Sequence, residues 1–320
     1  MDVGPVSAHK GQETHDKKRF AKKEYAMYNP FTETIISDVT DENLVAQARD
    51  GNWDALEQLI QRHQAWIFNI TVRMVHKREE AEDITQEVLL KMLTKLSTFQ
   101  NRSSFRTWLY RIVVNHILNL KQKQVEITFS ELGILMDELP DQALPDPADG
   151  HLPLPVLLEE AKIRCTKAML LCLDQRQRLV YILGELFGVK SELGAELMDL
   201  SPSNFRQLLT RARRDLYNYM NNKCGLVNQS NPCRCARKTR SFVEKGYIDP
   251  DHHQFTRERL GQISELAPSR AEEIDSLIDQ RHAAVFREQP FLAPPDQAMT
   301  LRRLINTPTF RHTLLLDSEQ

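Results

Sequence analysis

The sequence predicts an all-α protein with two helical domains, a linker between them and a helical C-terminal extension. Apolar residues recur at helical spacing from Asp41 onward, and no segment sustains the period-2 alternation of a β-strand. Glycine is scarce, at 11 of 320 residues, and neither G-x-G-x-x-G nor G-x-x-x-x-G-K-[ST] occurs. These observations argue against a nucleotide-binding α/β enzyme.

Length and composition predict several domains in a cytoplasmic protein with reduced thiols. No apolar run approaches the length of a membrane span, the N-terminus lacks the apolar segment of a secretion signal, and there are only five cysteines. The 42 basic and 44 acidic residues nearly cancel, so any nucleic-acid contact must come from charge segregated along the chain. We expect a flexible leader (1–40), a first domain (41–123), a linker (124–158), a second domain (159–222) and an extension (223–320).

The first domain begins with a helical pattern that includes Trp53, Leu59 and Ile67. The next helix, about 79–96, has an apolar stripe for the core and a polar strip on its other side. That strip has the spacing i, i+3, i+4, i+7 and consists of Asp83, Gln86, Glu87 and Leu90, with the leucine expected to be exposed. Two interpretations remain open: a solvated face, or a docking surface for a basic, helical partner.

A third helix follows Ser103 and Ser104, either of which can cap it. Phe105 and Trp108 are expected in the core, whereas Tyr110 fits either the core or the surface. Basic, amide and aromatic side chains together suit unpaired nucleic acid, and the loop 99–104 could line a pocket for a base turned out of the stack. The candidate nucleic-acid contacts are Asn101, Arg102, Ser103, Arg106, Tyr110, Arg111, Asn115 and Asn119.

The segment 124–158 contains five prolines and seven acidic residues but no Lys or Arg. Repeated proline forbids a continuous helix and favours extended backbone, so we predict a solvated interdomain linker.

The second domain contains a helix-turn-helix pattern. A short helix, Ser191 to Met198, precedes a longer one in which Ser201 is the expected N-cap and Pro202 the first helical residue. From 202 to 240 there are nine basic residues and one acid, which favours DNA binding over a structural hairpin. The candidates for base contacts are Ser203, Asn204, Arg206 and Gln207, and those for the DNA backbone are Thr210, Arg211 and Arg213.

Two blocks of the sequence carry a resemblance to a known family. AEDITQEVLLKMLTKLSTFQ and then SSFRTWLYRIVVNHILNLK resemble the second conserved region of bacterial sigma factors of the extracytoplasmic-function class. LDQRQRLVYILGELFGVKSELGAELMDLSPSNFRQLLTRARRDL resembles their fourth region. The resemblance covers about 41–123 and 160–220, in the order of the family.

The resemblance implies a function for each segment. Asp83, Gln86 and Glu87 would grip the clamp helices of RNA polymerase, and the loop 99–104 with Asn115 would face the melted promoter. The helix from Pro202 would read the upstream promoter element, and the linker would thread toward the polymerase active-site channel. The sequence departs from the family pattern at Asn101, Arg102, Val189, Lys190 and Asp199, the last in a turn where the family commonly has glycine.

The extension contains three closely spaced thiols, Cys224, Cys233 and Cys235. They could bind a zinc ion, with His252 or His253 as a fourth ligand, or they could be incidental to a turn shaped by Gly225 and Pro232. Cys165 and Cys172 lie on an apolar helix and are expected to be small core residues.

The function predicted from these features is that of a non-catalytic sigma factor. Its expected partners are core RNA polymerase and promoter DNA, an anti-sigma factor is a further candidate, and no membrane is involved. The alternative is a free-standing helix-turn-helix repressor or activator. An enzyme acting on nucleic acid is disfavoured, because no paired-carboxylate or metal-ligand pattern of recognisable spacing occurs.

Overall fold

A computed structural model describes the chain over residues 35–120, 127–142, 154–250, 285–286 and 292–305. The described residues form eleven α-helices and no strand, which confirms the all-α prediction. None of the described helices has both the length and the apolar character needed to cross a bilayer. In chain order the helices are α1 (Ile35–Arg49), α2 (Trp53–Met74), α3 (Arg78–Lys95), α4 (Phe105–Leu118), α5 (Phe129–Glu138), α6 (Leu154–Leu171), α7 (Gln175–Tyr181), α8 (Ser191–Met198), α9 (Pro202–Lys223), α10 (Cys235–Glu244) and α11 (Gln297–Ile305).

Helices α1 to α4 form the first domain. The Asn52 side chain accepts from the backbone N–H groups of Asp54 and Ala55 and starts α2, and Ser104 accepts from the Thr107 N–H and starts α4, as expected of a capping serine. Their apolar faces enclose a buried core that includes Ile67, Phe68, Val88, Leu89, Met92, Leu109 and Val113. The core fixes which faces of α3 and α4 remain outside.

The helix-turn-helix forms as predicted from α8 and α9. Ser201 caps α9 by accepting from the Asn204 N–H, and Pro202 occupies the first turn. Asp199 ends α8 in the left-handed conformation, with φ 53° and ψ 50°. This conformation explains why glycine suits that position and why aspartate, which tolerates it better than most residues, can replace it.

Gly194 of α8 lies against the ring of Phe205 on α9. A Cβ at this position would be 2.5 Å from two ring carbons. We expect Gly194→Ala to destabilise the protein by about 1–3 kcal/mol, because the ring is fully buried and cannot move away freely. The matched control is Gly133→Ala on α5, where the nearest atom is the flexible Cε of Lys223 at 3.4 Å. Thermal unfolding of both variants tests this, and equal losses of stability would contradict it.

The linker prediction is wrong in one part. Residues 129–138 form α5, which begins with a capping box between Thr128 and Glu131 and ends before Pro140, the first of the five prolines. Its apolar face contacts the second domain, where Phe129 lies 5.3 Å from Tyr219 between ring centroids. The proline-rich residues 143–153 lie outside the described residues.

The two domains share one hydrophobic core. Trp66 of α2 meets Phe187, which follows α7, edge to face with ring centroids 5.0 Å apart. The buried Arg178 of α7 also joins the domains, since its guanidinium donates to the carbonyl of Met74 at 2.7 Å. The same side chain donates to three carbonyls of the turn before α7, those of Leu170, Leu171 and Leu173.

The extension contacts both domains. Helix α10 packs against α6, and α11 packs against α2 and α3. The segment before α11 is held by Asn69, whose side-chain amide donates to the Leu292 carbonyl at 2.8 Å and accepts from the Leu292 N–H at 2.9 Å. Arg78 donates to the Ala293 carbonyl at 2.8 Å. The predicted residues 251–284 and 306–320 of the extension lie outside the described residues.

Candidate functional site

The polar strip of α3 is present, but its end differs from the prediction. Asp83 and Glu87 are exposed, and Gln86 is half-buried. The prediction that Leu90 is exposed is wrong, because its side chain is half-buried and packs against the core. The outward surface therefore consists of two carboxylates one helical turn apart, with an amide beside them.

Glu87 lies next to a buried imidazole. Its Oε2 is 3.2 Å from Nε2 of His116 on α4, and Lys91 contacts Nδ1 of the same ring. Burial, reinforced by Lys91, lowers the pKa of His116 below its ordinary value, although Glu87 acts in the opposite direction. The imidazole is therefore uncharged at neutral pH and leaves the negative charge of Glu87 in place.

The exposed side of α4 is a stripe of polar residues. Arg111, Asn115 and Asn119 are exposed and lie at successive four-residue intervals, and Arg106 is half-buried near the start of the helix. The preceding loop presents Asn101 and Arg102 as exposed residues and Ser103 as a half-buried one. Asn101 has a φ of 53°, a left-handed conformation that asparagine tolerates.

Tyr110 does not belong to this stripe. Its side chain is fully buried, with its ring 5.9 Å from that of His63, so it cannot stack on a base. Thr107 and Val114 are buried too. The apolar face of α4 is wider than its sequence suggests, because core residues of α2 surround it.

The candidate residues of α9 are all exposed: Ser203, Asn204, Arg206, Gln207, Thr210, Arg211 and Arg213. Phe205, Ala212 and Leu216 are buried and hold the helix on the domain. Arg206 donates to the Ser191 hydroxyl of α8 at 3.2 Å, and Arg213 pairs with the buried carboxylate of Glu185.

The nucleic-acid candidates of the two domains meet in this arrangement. Helix α4 packs against α8, and Arg111 pairs with Glu196 of α8 through an N–O distance of 3.2 Å. Both side chains are about half exposed, so solvent screens the pair and its energy is small. Hydrophobic packing around Trp66 and Phe187 is the larger attraction between the domains.

The structure brings the three thiols of the extension together. Cys224, Cys233 and Cys235 line one cavity of about 460 Å³ together with Cys165, a residue that sequence reasoning placed in the core. All five cysteines are free thiols. Within the described part of the chain, no three His, Cys, Asp or Glu side chains already surround a position for a metal ion. His252 and His253 lie outside the described residues.

Comparison with known proteins decides the family. Residues 59–126 match the family model of sigma-70 region 2, and residues 163–216 match that of sigma-70 region 4. The chain is 31% identical over 163 residues to the RNA polymerase sigma factor YlaC of Bacillus subtilis. The matched residues make up 51% of this chain and 90% of that protein. The ECF RNA polymerase sigma-E factor of Haemophilus influenzae is 29% identical, covering 58% of this chain and 97% of its own. The chain belongs to the extracytoplasmic-function (ECF) class of RNA polymerase sigma factors.

This sigma factor is thus a promoter-recognising transcription initiation factor, as predicted, and the free-standing repressor is set aside. The matched ranges contain α3, α4, α8 and the first part of α9, and so include every candidate residue of these helices. A solved structure of CnrH in complex with the cytosolic domain of CnrY is 22% identical, and the match covers 57% of this chain and 97% of that one. Its TM-score is 0.42, a likeness too weak to support an inference.

Two features of the sigma factor were missed by sequence reasoning. The sequence patterns assigned no role to Arg178, yet it is buried and donates to four carbonyls. The extension also reaches α3 beside the acidic strip, since Gln297 contacts the Glu82 carbonyl at 3.5 Å. No periodicity could have revealed either one, because both depend on contacts between distant parts of the chain.

Proposed function

We propose that the outward carboxylates of α3, Asp83 and Glu87, bind core RNA polymerase and that α4 and α9 bind promoter DNA. On this proposal the stripe on α4 holds a melted strand, whereas α9 reads duplex DNA. The observation that carries the proposal is the separation of charge: one acidic strip in a region 2 helix and one basic, exposed helix in region 4.

The acidic strip suits a basic groove. Asp83 and Glu87 lie on the same side of α3 and project into solvent, with Gln86 available for hydrogen bonds. Complementary charge raises the rate of encounter and sets the orientation of the partner. Because His116 is uncharged at neutral pH, its imidazole adds no positive charge beside Glu87.

The stripe on α4 suits a single strand whose phosphates and base edges are both accessible. Arg106 and Arg111 can meet phosphates, and the amides of Asn115 and Asn119 can hydrogen-bond to unpaired bases. The loop with Asn101, Arg102 and Ser103 can receive a base turned out of the stack. With Tyr110 buried, base recognition on this stripe depends on hydrogen bonds rather than on stacking by that ring.

Helix α9 suits the major groove. Its first two turns present Ser203, Asn204, Arg206 and Gln207 to solvent, whereas Thr210, Arg211 and Arg213 follow at positions that reach the DNA backbone. Arg213 is fixed by Glu185, so its charge is partly compensated. Arg206 is the one cation among the four base-contact candidates of α9, and we select it for readout of a base.

We propose that the contact between α4 and α8 loosens when the factor binds a promoter. In the described arrangement Arg111 pairs with Glu196 of region 4, a carboxylate that would compete with a phosphate for this side chain. A partner that holds the two regions together would keep the factor inactive, which is the action we propose for an anti-sigma factor.

Run-off transcription with core RNA polymerase and a library of promoters tests the proposed function. We expect promoter-dependent transcripts only when this protein is added. Binding to duplex DNA without any transcript, and without association with core polymerase, would contradict it.

One prediction separates the two DNA contacts. We expect Arg206→Ala to weaken binding to the upstream duplex by about 5- to 150-fold, the loss of about 1–3 kcal/mol typical of a bidentate base contact. We expect Asn115→Ala to leave duplex binding nearly unchanged but to impair promoter opening. Gel shifts measure the first effect and permanganate footprinting of the melted region measures the second.

The control for this prediction is Arg214→Ala. Arg214 is on the same helix as Arg206, is exposed, and pairs with Asp215 at 3.1 Å. It should weaken duplex binding less than Arg206→Ala. Normal melting by the Asn115 variant would remove that residue from the proposed interface.

A further inference from the structure

Four of the five cysteines line one cavity, although they come from three parts of the chain. Cys165 is on α6 of region 4, Cys224 directly follows α9, and Cys233 and Cys235 are at the start of α10. The cavity measures about 460 Å³ and lies where α5, α6, α9 and α10 meet. The family model of region 4 ends at residue 216, so three of the four thiols lie beyond it.

The backbone places the three extension thiols on one side. Cys224 and Cys233 form a parallel β-bridge, in which the Gly225 N–H donates to the Cys233 carbonyl at 3.2 Å. Residues paired in this way project to the same face. Arg234 is extended, with φ −127° and ψ 126°, so Cys235 projects to the same side as Cys233.

The loop between the thiols is built for this close approach. A Cβ at Gly225 would lie 2.3 Å from the Cys233 carbonyl oxygen, so only glycine fits there. Arg234 spans the loop and donates to the carbonyls of Gln229 at 2.8 Å and Cys233 at 3.0 Å. The Asn231 amide donates to the Asn221 carbonyl of α9 at 2.8 Å. The loop is thereby tied to region 4.

Cys172 serves as a comparison, because it lies near Cys165 in the sequence but outside this group of four thiols. It is seven residues from Cys165 on the same apolar stretch, its Sγ contacts the Ala168 carbonyl at 3.4 Å, and it is not among the residues lining the cavity.

We propose that Cys165, Cys224, Cys233 and Cys235 bind one Zn²⁺ ion as four thiolates. Four sulfur ligands in tetrahedral geometry are typical of structural zinc sites. Each thiol releases one proton to solvent as its sulfur–zinc bond forms, so the site gains a net charge of about −2. Lys238 also lines the cavity, but it already pairs with Asp141 at 3.0 Å.

Zinc binding would close the cavity. In the described residues the sulfurs do not yet surround an ion, so the metal must draw them inward. The ion would link the extension to α6 and hold the basic segment 234–240 beside α9. This role is structural and does not depend on the proposed polymerase and DNA contacts.

Metal content of the full chain, purified under reducing conditions without chelator, tests the proposal. We expect about one zinc per chain in the wild-type protein and in the Cys172→Ser control, and little or none in Cys165→Ser. Cysteine to serine keeps the size of the side chain, and circular dichroism reports whether each variant retains its helices.

Cobalt titration of the wild-type chain gives a test that needs no variant. Co²⁺ in a site of four thiolates has a sulfur-to-metal charge-transfer absorption whose intensity rises with the number of thiolates. An intensity matching four thiolates is the expected result. Absence of both zinc and cobalt binding, iron with sulfide in place of zinc, or unchanged zinc affinity in a folded Cys165→Ser variant would each overturn the proposal.

Discussion

Replacing both Asp83 and Glu87 with arginine is expected to abolish binding of this sigma factor to core RNA polymerase. Both side chains are exposed on α3, so their replacement leaves the region 2 core intact. Two like charges set against a basic groove cost several kcal/mol, and a loss of about 3 kcal/mol weakens binding by more than 100-fold. Fluorescence anisotropy with labelled sigma factor and core enzyme measures the dissociation constant.

The control carries the same change of charge elsewhere in the first domain. Glu42 and Asp50 are exposed on and just after α1, away from the strip, and replacing both with arginine should leave polymerase binding nearly unchanged. If the strip variant still co-purifies with core enzyme, or if both double variants lose binding equally, α3 is not the docking surface.

Replacing Arg178 with methionine is expected to be the most destabilising single change considered. The side chain is 2% exposed and donates to four carbonyls, those of Met74, Leu170, Leu171 and Leu173. Methionine fills similar space but leaves these acceptors buried without a donor. We expect a loss of about 3–5 kcal/mol in the free energy of unfolding.

Arg176→Met is the matched control for Arg178. Arg176 is two residues away on α7 and is exposed, so its replacement should change stability by no more than about 0.5 kcal/mol. Urea unfolding followed by circular dichroism measures both variants. Equal stability of the Arg178 and Arg176 variants would show that the four hydrogen bonds contribute little.

Local signals in the sequence were sufficient for the helix-turn-helix. Its first helix has the predicted bounds, Ser191 to Met198, and Ser201 and Pro202 act as predicted at the start of α9. Capping and turn chemistry act over three or four residues, so the sequence contains them completely. The sigma-factor family was predicted from the resemblance of two longer sequence blocks, in the order of that family.

The sequence-based predictions were wrong where contacts between distant parts of the chain determine which residues are buried or brought together. Tyr110 lies on an apolar face that is wider than periodicity implies, because α2 covers it. Helix α5 was missed because the helix-breaking effect of proline was assumed for all of 124–158. The first proline of that segment is Pro140, which lies after α5. Cys165 is 59 residues before Cys224 in the sequence, and only the packing of α10 on α6 brings the two to one cavity.

The pair of hydrogen bonds between Asn69 and Leu292 has a consequence for synthesis of the chain. The two residues are 223 positions apart, so region 2 leaves the ribosome long before the segment that covers α2 and α3 exists. At typical translation rates this interval is roughly 10–45 s. During that time the α2–α3 surface of the nascent chain is exposed, and Asn69 lacks its two hydrogen bonds to Leu292. We therefore expect chaperones or polymerase itself to meet region 2 first in this uncovered form.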